Sequence, residues 1–298
     1  APYHNVDISY SFLFLVFSTI LNIILDLVFC GAFRLGVEYA ALATVISQML
    51  SVVLCMIRLI RTQDVYQVSI REIRFDWPLL KQIIHQGLPS GMQNSIISIA
   101  NMVVQSNINS FGKMAMAGCG AYSKIEGFGF LPITCFAMAM TTFIGQNLGA
   151  REFDRVKKGA RFGILCGVGL AEAVGIGINL FIPQLIALFD RTPEVIQFGV
   201  TQAKIVTLFY FLLSFSHVIA GIMRGAGKSM VPMLVMLISW CLIRITYVTI
   251  TIHFIPDIRV VFWAYPMTWT ISSIIFLIYY KKADWIHYFD RQEEKQCA

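Results

Sequence analysis

Residues 118–144, GCGAYSKIEGFGFLPITCFAMAMTTFI, form one apolar run. As a helix it is long enough to cross the roughly 30 Å hydrocarbon core of a bilayer. Three features separate it from a plain anchor. Lys124 and Glu126 lie inside the run, where charge is expensive and normally functional. Pro132 removes a backbone donor from its middle and favours a kink. The exit at 145–150, GQNLGA, is small and polar and leads directly into a basic loop. A kinked membrane helix carrying buried charge implies that something polar passes along it.

The run is one of eight, at 11–33, 39–59, 86–111, 118–144, 160–182, 199–222, 230–252 and 261–280. Only 13% of the residues are charged, about half the share usual in a soluble domain. The expectation is an all-α polytopic membrane protein. With the N-terminus placed inside, sixteen basic residues fall in inner segments, among them Arg58, Arg61, Arg151, Lys158, Arg224 and Lys281. Only Arg34, Lys113, Arg191 and Arg259 fall outside. That asymmetry predicts both termini in the cytoplasm, in the plasma (inner) membrane. It also accounts for the net charge of +6 without a nucleic-acid partner.

The seven cysteines form no C-x-x-C pair and read as small core residues. His85, His217 and His253 are scattered, and no P-loop, H-E-x-x-H or G-x-S-x-G occurs. No enzyme, metal site or cofactor is expected.

The polar stretch 60–85 reads as a cytoplasmic linker ending in a short amphipathic helix on the membrane surface. It separates 1–59, with two spans, from 86–280, with six; 281–298 is a cytoplasmic tail. A weak repeat aligns Val37–Gln48, VEYAALATVISQ, with Val261–Ser272, VFWAYPMTWTIS, keeping Val, Ala and Thr in register. Two six-span units entering from the same side would result, as in parallel transporter repeats. The first would lack about four helices here.

Asn22 and Asp26 stand four apart, on one helix face. A carboxylate within a span must face other helices, water or a cation, unless it lies near an interface and is solvated. The neighbouring amide offers a second oxygen of the kind hard cations prefer, and the carboxylate can instead hold a proton. Thr44, in the next span, adds a hydroxyl.

Lys124 and Glu126 are about 200° apart round a helix and cannot pair directly. Lys124 and Lys204 lie near outer ends and can snorkel; Glu126 is deeper and a candidate cavity-lining group. Arg244 calls for a carboxylate or carbonyl partner, with structural pairing as its plainer role. Glu172, on a Gly-rich helix, has a neighbour's hydrogen bond as its simplest use. Asn94, Ser98, Asn101 and Gln105 recur at helical spacing as one stripe, which faces either a water-filled cavity or another helix.

These residues laid out, the chain resembles the multidrug and toxic compound extrusion family over nearly its whole length. The resemblance rests on LNIILD (21–26), GVEYAALATVISQ (36–48), GLPSGMQNSI (87–96), IEGFGFLPI (125–133), GQNLGA (145–150) and MRGAGKSMVP (223–232), in that order. It implies twelve helices in two six-helix lobes and exchange of organic cations or other drugs for Na⁺ or H⁺ by alternating access. Residues 11–59 then match helices five and six, and 86–280 the second lobe. In the branch resembling the DNA-damage-inducible F protein, the first lobe's polar site matches Asn22, Asp26 and Thr44; its helix-one Asp has no counterpart here. Helix seven of other members carries a carboxylate where Gln93 and Asn94 stand in this chain, and helix ten has no acid within its span. That points ion coupling to the first lobe and leaves Glu126 unplaced. The substrate is expected to be a small drug-like molecule and the protein a monomer in the lipid bilayer. The alternative is a flippase for lipid-linked precursors, using Lys124, Lys204 and Arg244 as a cationic cavity.

Overall fold

The computed structural model describes residues 8–34, 36–62 and 67–286. Arg291, Lys295, Cys297 and most of the expected tail lie outside them. The chain divides into two compact units, 1–76 and 77–298.

In the first unit α1, Ile8–Asp26, continues into a wide π-helical stretch, Leu27–Ala32. A non-glycine residue of positive φ, Arg34, lies at the turn, and α2 runs Val37–Arg61. α1 and α2 pack side by side. Ser18 Oγ donates to the Ser47 carbonyl at 2.7 Å, a use for a hydroxyl inside an apolar pair of helices. Phe12, Leu15, Ile20, Met49 and Val52 remain exposed.

The second unit holds α3, Trp77–Asn109; α4, Lys113–Gly149; α5, Phe153–Ala187; α6, Pro193–Val206; α7, Tyr210–Gly225; α8, Met230–Met236; α9, Arg244–Phe254; and α10, Ile258–Lys282. A 3-10 turn, Thr207–Phe209, joins α6 to α7, and a π stretch, Leu237–Ile243, joins α8 to α9. Among the described residues seven helices are long and apolar enough to cross a membrane. The eighth expected span, 86–111, lies in α3, which has the length but carries too many amide and hydroxyl side chains. The surface helix expected at the end of the linker is not separate: Trp77 to Asn109 is one helix, continuous through Pro89.

α4 is the centre of this unit, packed against α5, α6 and α7. Small residues make that closeness possible. A Cβ at Gly199 would sit 2.8 Å from the Gly118 carbonyl oxygen, and one at Gly225 2.5 Å from that of Thr141. Helices in lipid associate through such small-residue seams. The α6–α7 break frees backbone groups that water cannot reach. Glu172 satisfies one by accepting the Phe211 N–H at 3.1 Å, and Asn179 Nδ2 bonds Thr207 Oγ1 at 2.9 Å. Glu172 is therefore a structural acceptor.

Candidate functional site

In the first unit Asn22 Nδ2 donates to Thr44 Oγ1 at 3.4 Å. Thr44 in turn donates to the Ala40 carbonyl at 3.1 Å. With its nitrogen engaged, the Asn22 amide has its oxygen left over. One turn on, Asp26 is half-buried, and its Oδ1 is enclosed without a hydrogen-bond partner among the described residues. The π stretch begins at the next residue, Leu27; such bulges are frequent at functional positions. A carboxylate oxygen and an amide oxygen one turn apart, backed by a hydroxyl, suit a hard cation or a held proton.

In the second unit Arg244 is 1% exposed. Its Nη2 and Nε donate to Thr268 Oγ1 at 2.8 and 3.3 Å, and Nη1 donates to Asn101 Oδ1 at 3.3 Å. The guanidinium lies over the rings of Tyr265 at 4.6 Å and Trp240 at 5.3 Å, within cation–π range. The partners are thus a hydroxyl, an amide carbonyl and two aromatic faces. The Asn101 amide oxygen supplies the carbonyl partner that a buried guanidinium calls for. Glu126 is half-buried and close enough for its charge to act on Arg244. One turn before it, fully buried Tyr122 meets Tyr210 hydroxyl to hydroxyl at 3.1 Å.

Of the stripe on α3, Asn94, Ser98 and Asn101 are exposed and Gln105 is half-buried. Ser98 bonds back to the Asn94 carbonyl, and Gln105 Nε2 donates to Asn109 Oδ1 at 3.0 Å. Arg244 can only donate, so it claims the Asn101 oxygen and leaves that amide's N–H₂ for whatever meets the stripe. Gln93, about 110° round the helix from the stripe, is buried between Arg224 and the Met236 sulfur. Lys124 and Lys204 are exposed, whereas Arg244 is enclosed.

Thr268, Tyr265, Trp240, Tyr122 and Tyr210 are absent from the sequence-derived candidates. Thr268 was reachable, because the repeat pairs it with Thr44. The aromatics were not, since an aromatic in an apolar span gives no sign of which charge it covers.

Long apolar helices enclosing a few ionisable and amide groups define a polytopic α-helical membrane protein. The MatE family profile matches residues 89–250, more than half of the sequence. The chain belongs to the MatE family. It is 27% identical over 272 residues to the probable multidrug resistance protein YpnP of Bacillus subtilis, a match covering 91% of this chain and 60% of that protein. It is 28% identical over 224 residues to the probable multidrug resistance protein NorM of Thermotoga maritima, covering 74% and 48%. The chain thus spans at most about three fifths of these relatives. A MOP superfamily transporter from Pyrococcus furiosus superposes with a TM-score of 0.83 at 23% identity, covering 90% of this chain and 61% of that one.

Proposed function

We propose that the protein is a secondary active antiporter exporting drug-like, mostly organic-cation substrates in exchange for Na⁺ or H⁺ by alternating access. Residues 1–59 would end a first six-helix lobe and 86–280 form the second. The protein works as a monomer in the plasma (inner) membrane, both termini cytoplasmic. The observation that carries the reading is Asp26, with an enclosed carboxylate oxygen that has no partner among the described residues, one turn from an amide whose nitrogen is already committed to Thr44.

An ion or proton at Asp26 changes the charge between α1 and α2. It shifts helix packing only as far as its affinity differs between the inward- and outward-open states. The exposed polar stripe Asn94, Ser98, Asn101 and Gln105, with Glu126 and Arg244 behind it, is the substrate-facing part of the second unit. The flippase reading is weaker, because it needs Lys124, Lys204 and Arg244 to act together while Arg244 already has its partners.

The test is Asp26→Asn in cells exposed to ethidium. Loss of resistance at unchanged membrane expression supports the proposal. Resistance equal to the parent's would refute it.

A further inference from the structure

The repeat noted in the sequence extends into side-chain contacts, each unit taken by itself. Thr44 and Thr268 occupy the same repeat position, and both donate to the carbonyl four residues back, Ala40 and Ala264, themselves a repeat pair. Both then accept from the preceding transmembrane helix: Thr44 from Asn22 at 3.4 Å, Thr268 from Arg244 at 2.8 Å. One turn earlier on those helices, Ser18 bonds the Ser47 carbonyl and Trp240 Nε1 bonds Ser272 Oγ; Ser272 lies one place beyond the exact counterpart of Ser47. Two contacts one helical turn apart therefore set Asn22 against Arg244.

Counting one further turn sets Asp26 against Val248, which is fully buried. Where the first unit has an amide and a carboxylate, one oxygen of it without a partner among the described residues, the second has a guanidinium and an isopropyl group. The guanidinium is also dressed as a bound cation is. It has oxygen partners in Thr268 and Asn101, two ring faces in Tyr265 and Trp240, and the Glu126 carboxylate within electrostatic reach.

We propose that Arg244 is a built-in cation: it permanently fills, in the second unit, the place that the transported ion enters in the first, and so confines ion coupling to the first unit. The proposal rests on the antiport reading of Asp26 given above. Its consequence is definite. Removing the Arg244 charge while keeping Glu126 leaves a position with the Thr268 and Asn101 oxygens freed and a carboxyl group in reach, which an external Na⁺ or H⁺ would occupy.

The experiment measures ethidium transport by the full chain in proteoliposomes under an imposed Na⁺ or H⁺ gradient. Asp26→Asn is expected to lower gradient-driven uptake by about tenfold, within the usual range of coupling between two sites. Adding Arg244→Asn is expected to restore most of it, and adding Glu126→Gln as well to abolish it again. If Asp26→Asn alone changes nothing, the antiport reading fails, whatever Arg244 does. If Asp26→Asn is inactive and the folded double variant is equally inactive, the built-in cation is overturned. Should Arg244→Asn fail to fold in detergent, Asp26→Asn with Arg244→Lys is read instead. An ammonium in the same position keeps that variant uncoupled; gradient-driven uptake by it would overturn the proposal.

Discussion

Gly225→Ala tests how tightly the second unit is closed. The added Cβ would lie 2.5 Å from the Thr141 carbonyl oxygen and 2.9 Å from Ile144 Cβ, where ordinary contact begins at 3.4 Å. Backbone on one side and a β-branched stem on the other leave no flexible atom to swing away. α4 and α7 must therefore part locally by about 0.9 Å, the difference between those distances. Overpacking of this kind costs about 1–3 kcal/mol. The same movement lengthens the bond from Thr141 Oγ1 to the Gly221 carbonyl, now 3.0 Å, which is worth about 0.6 kcal/mol between membrane helices. The expected loss is thus about 2–4 kcal/mol. It is read from the midpoint of unfolding by dodecyl sulfate in mixed micelles. Gly177→Ala is the control: nothing lies within 4 Å of the added atom, and alanine's helix propensity makes the change neutral or slightly stabilising, by up to about 1 kcal/mol. Equal midpoints for the two variants would refute the close-packed α4–α7 seam.

Further outcomes follow from the hydrogen bonds. Glu172→Gln keeps an acceptor for the Phe211 N–H and should hold stability within about 0.5 kcal/mol, whereas Glu172→Leu leaves that donor unpaired and should lose about 1–2 kcal/mol in the same assay. Thr44→Val removes the acceptor that orients the Asn22 amide; the half-saturating coupling-ion concentration should rise about tenfold, as when the group behind a ligand is removed, with expression unchanged. Gln86→Ala removes a donor to the Gly227 carbonyl and an acceptor for Ser229. It should loosen the contact between α3 and the turn before α8, seen as faster amide exchange in the 225–229 turn with α5 unaffected.

The helical, membrane-spanning architecture was legible because apolar runs of bilayer length admit few other outcomes. Two places differ in detail. α3 is polar enough along the 94–105 stripe to fall below the apolarity of its neighbours, yet it starts well before the expected span, because no strong breaker separates Trp77 from it. The span expected at 199–222 falls within Pro193–Gly225, long and apolar enough to cross, and carries a 3-10 turn at Thr207–Phe209 that nothing in TLF signals. Its support, Glu172 and Asn179, lies on another helix. The spacing of Asn22 and Asp26 put them on one face, and the repeat aligned Thr44 with Thr268. What the sequence could not supply was which partner each charge would find. Arg244 takes a hydroxyl and a ring from α10, a ring from the stretch before α9, and an amide from α3, which lies far back along the chain. The α4–α7 seam had a signal in the four-residue spacing of Gly221 and Gly225, but no sequence pattern names Ala137 and Thr141 as the surface they meet.

The most direct measurement of the central claim is ethidium movement in proteoliposomes holding the unsubstituted full chain, with either a Na⁺ or a proton gradient imposed as the sole driving force. The account predicts uphill drug transport that reverses direction when the gradient is reversed and stops when it is collapsed. Drug movement indifferent to both gradients, or none alongside transfer of a lipid-linked sugar between leaflets, would contradict it.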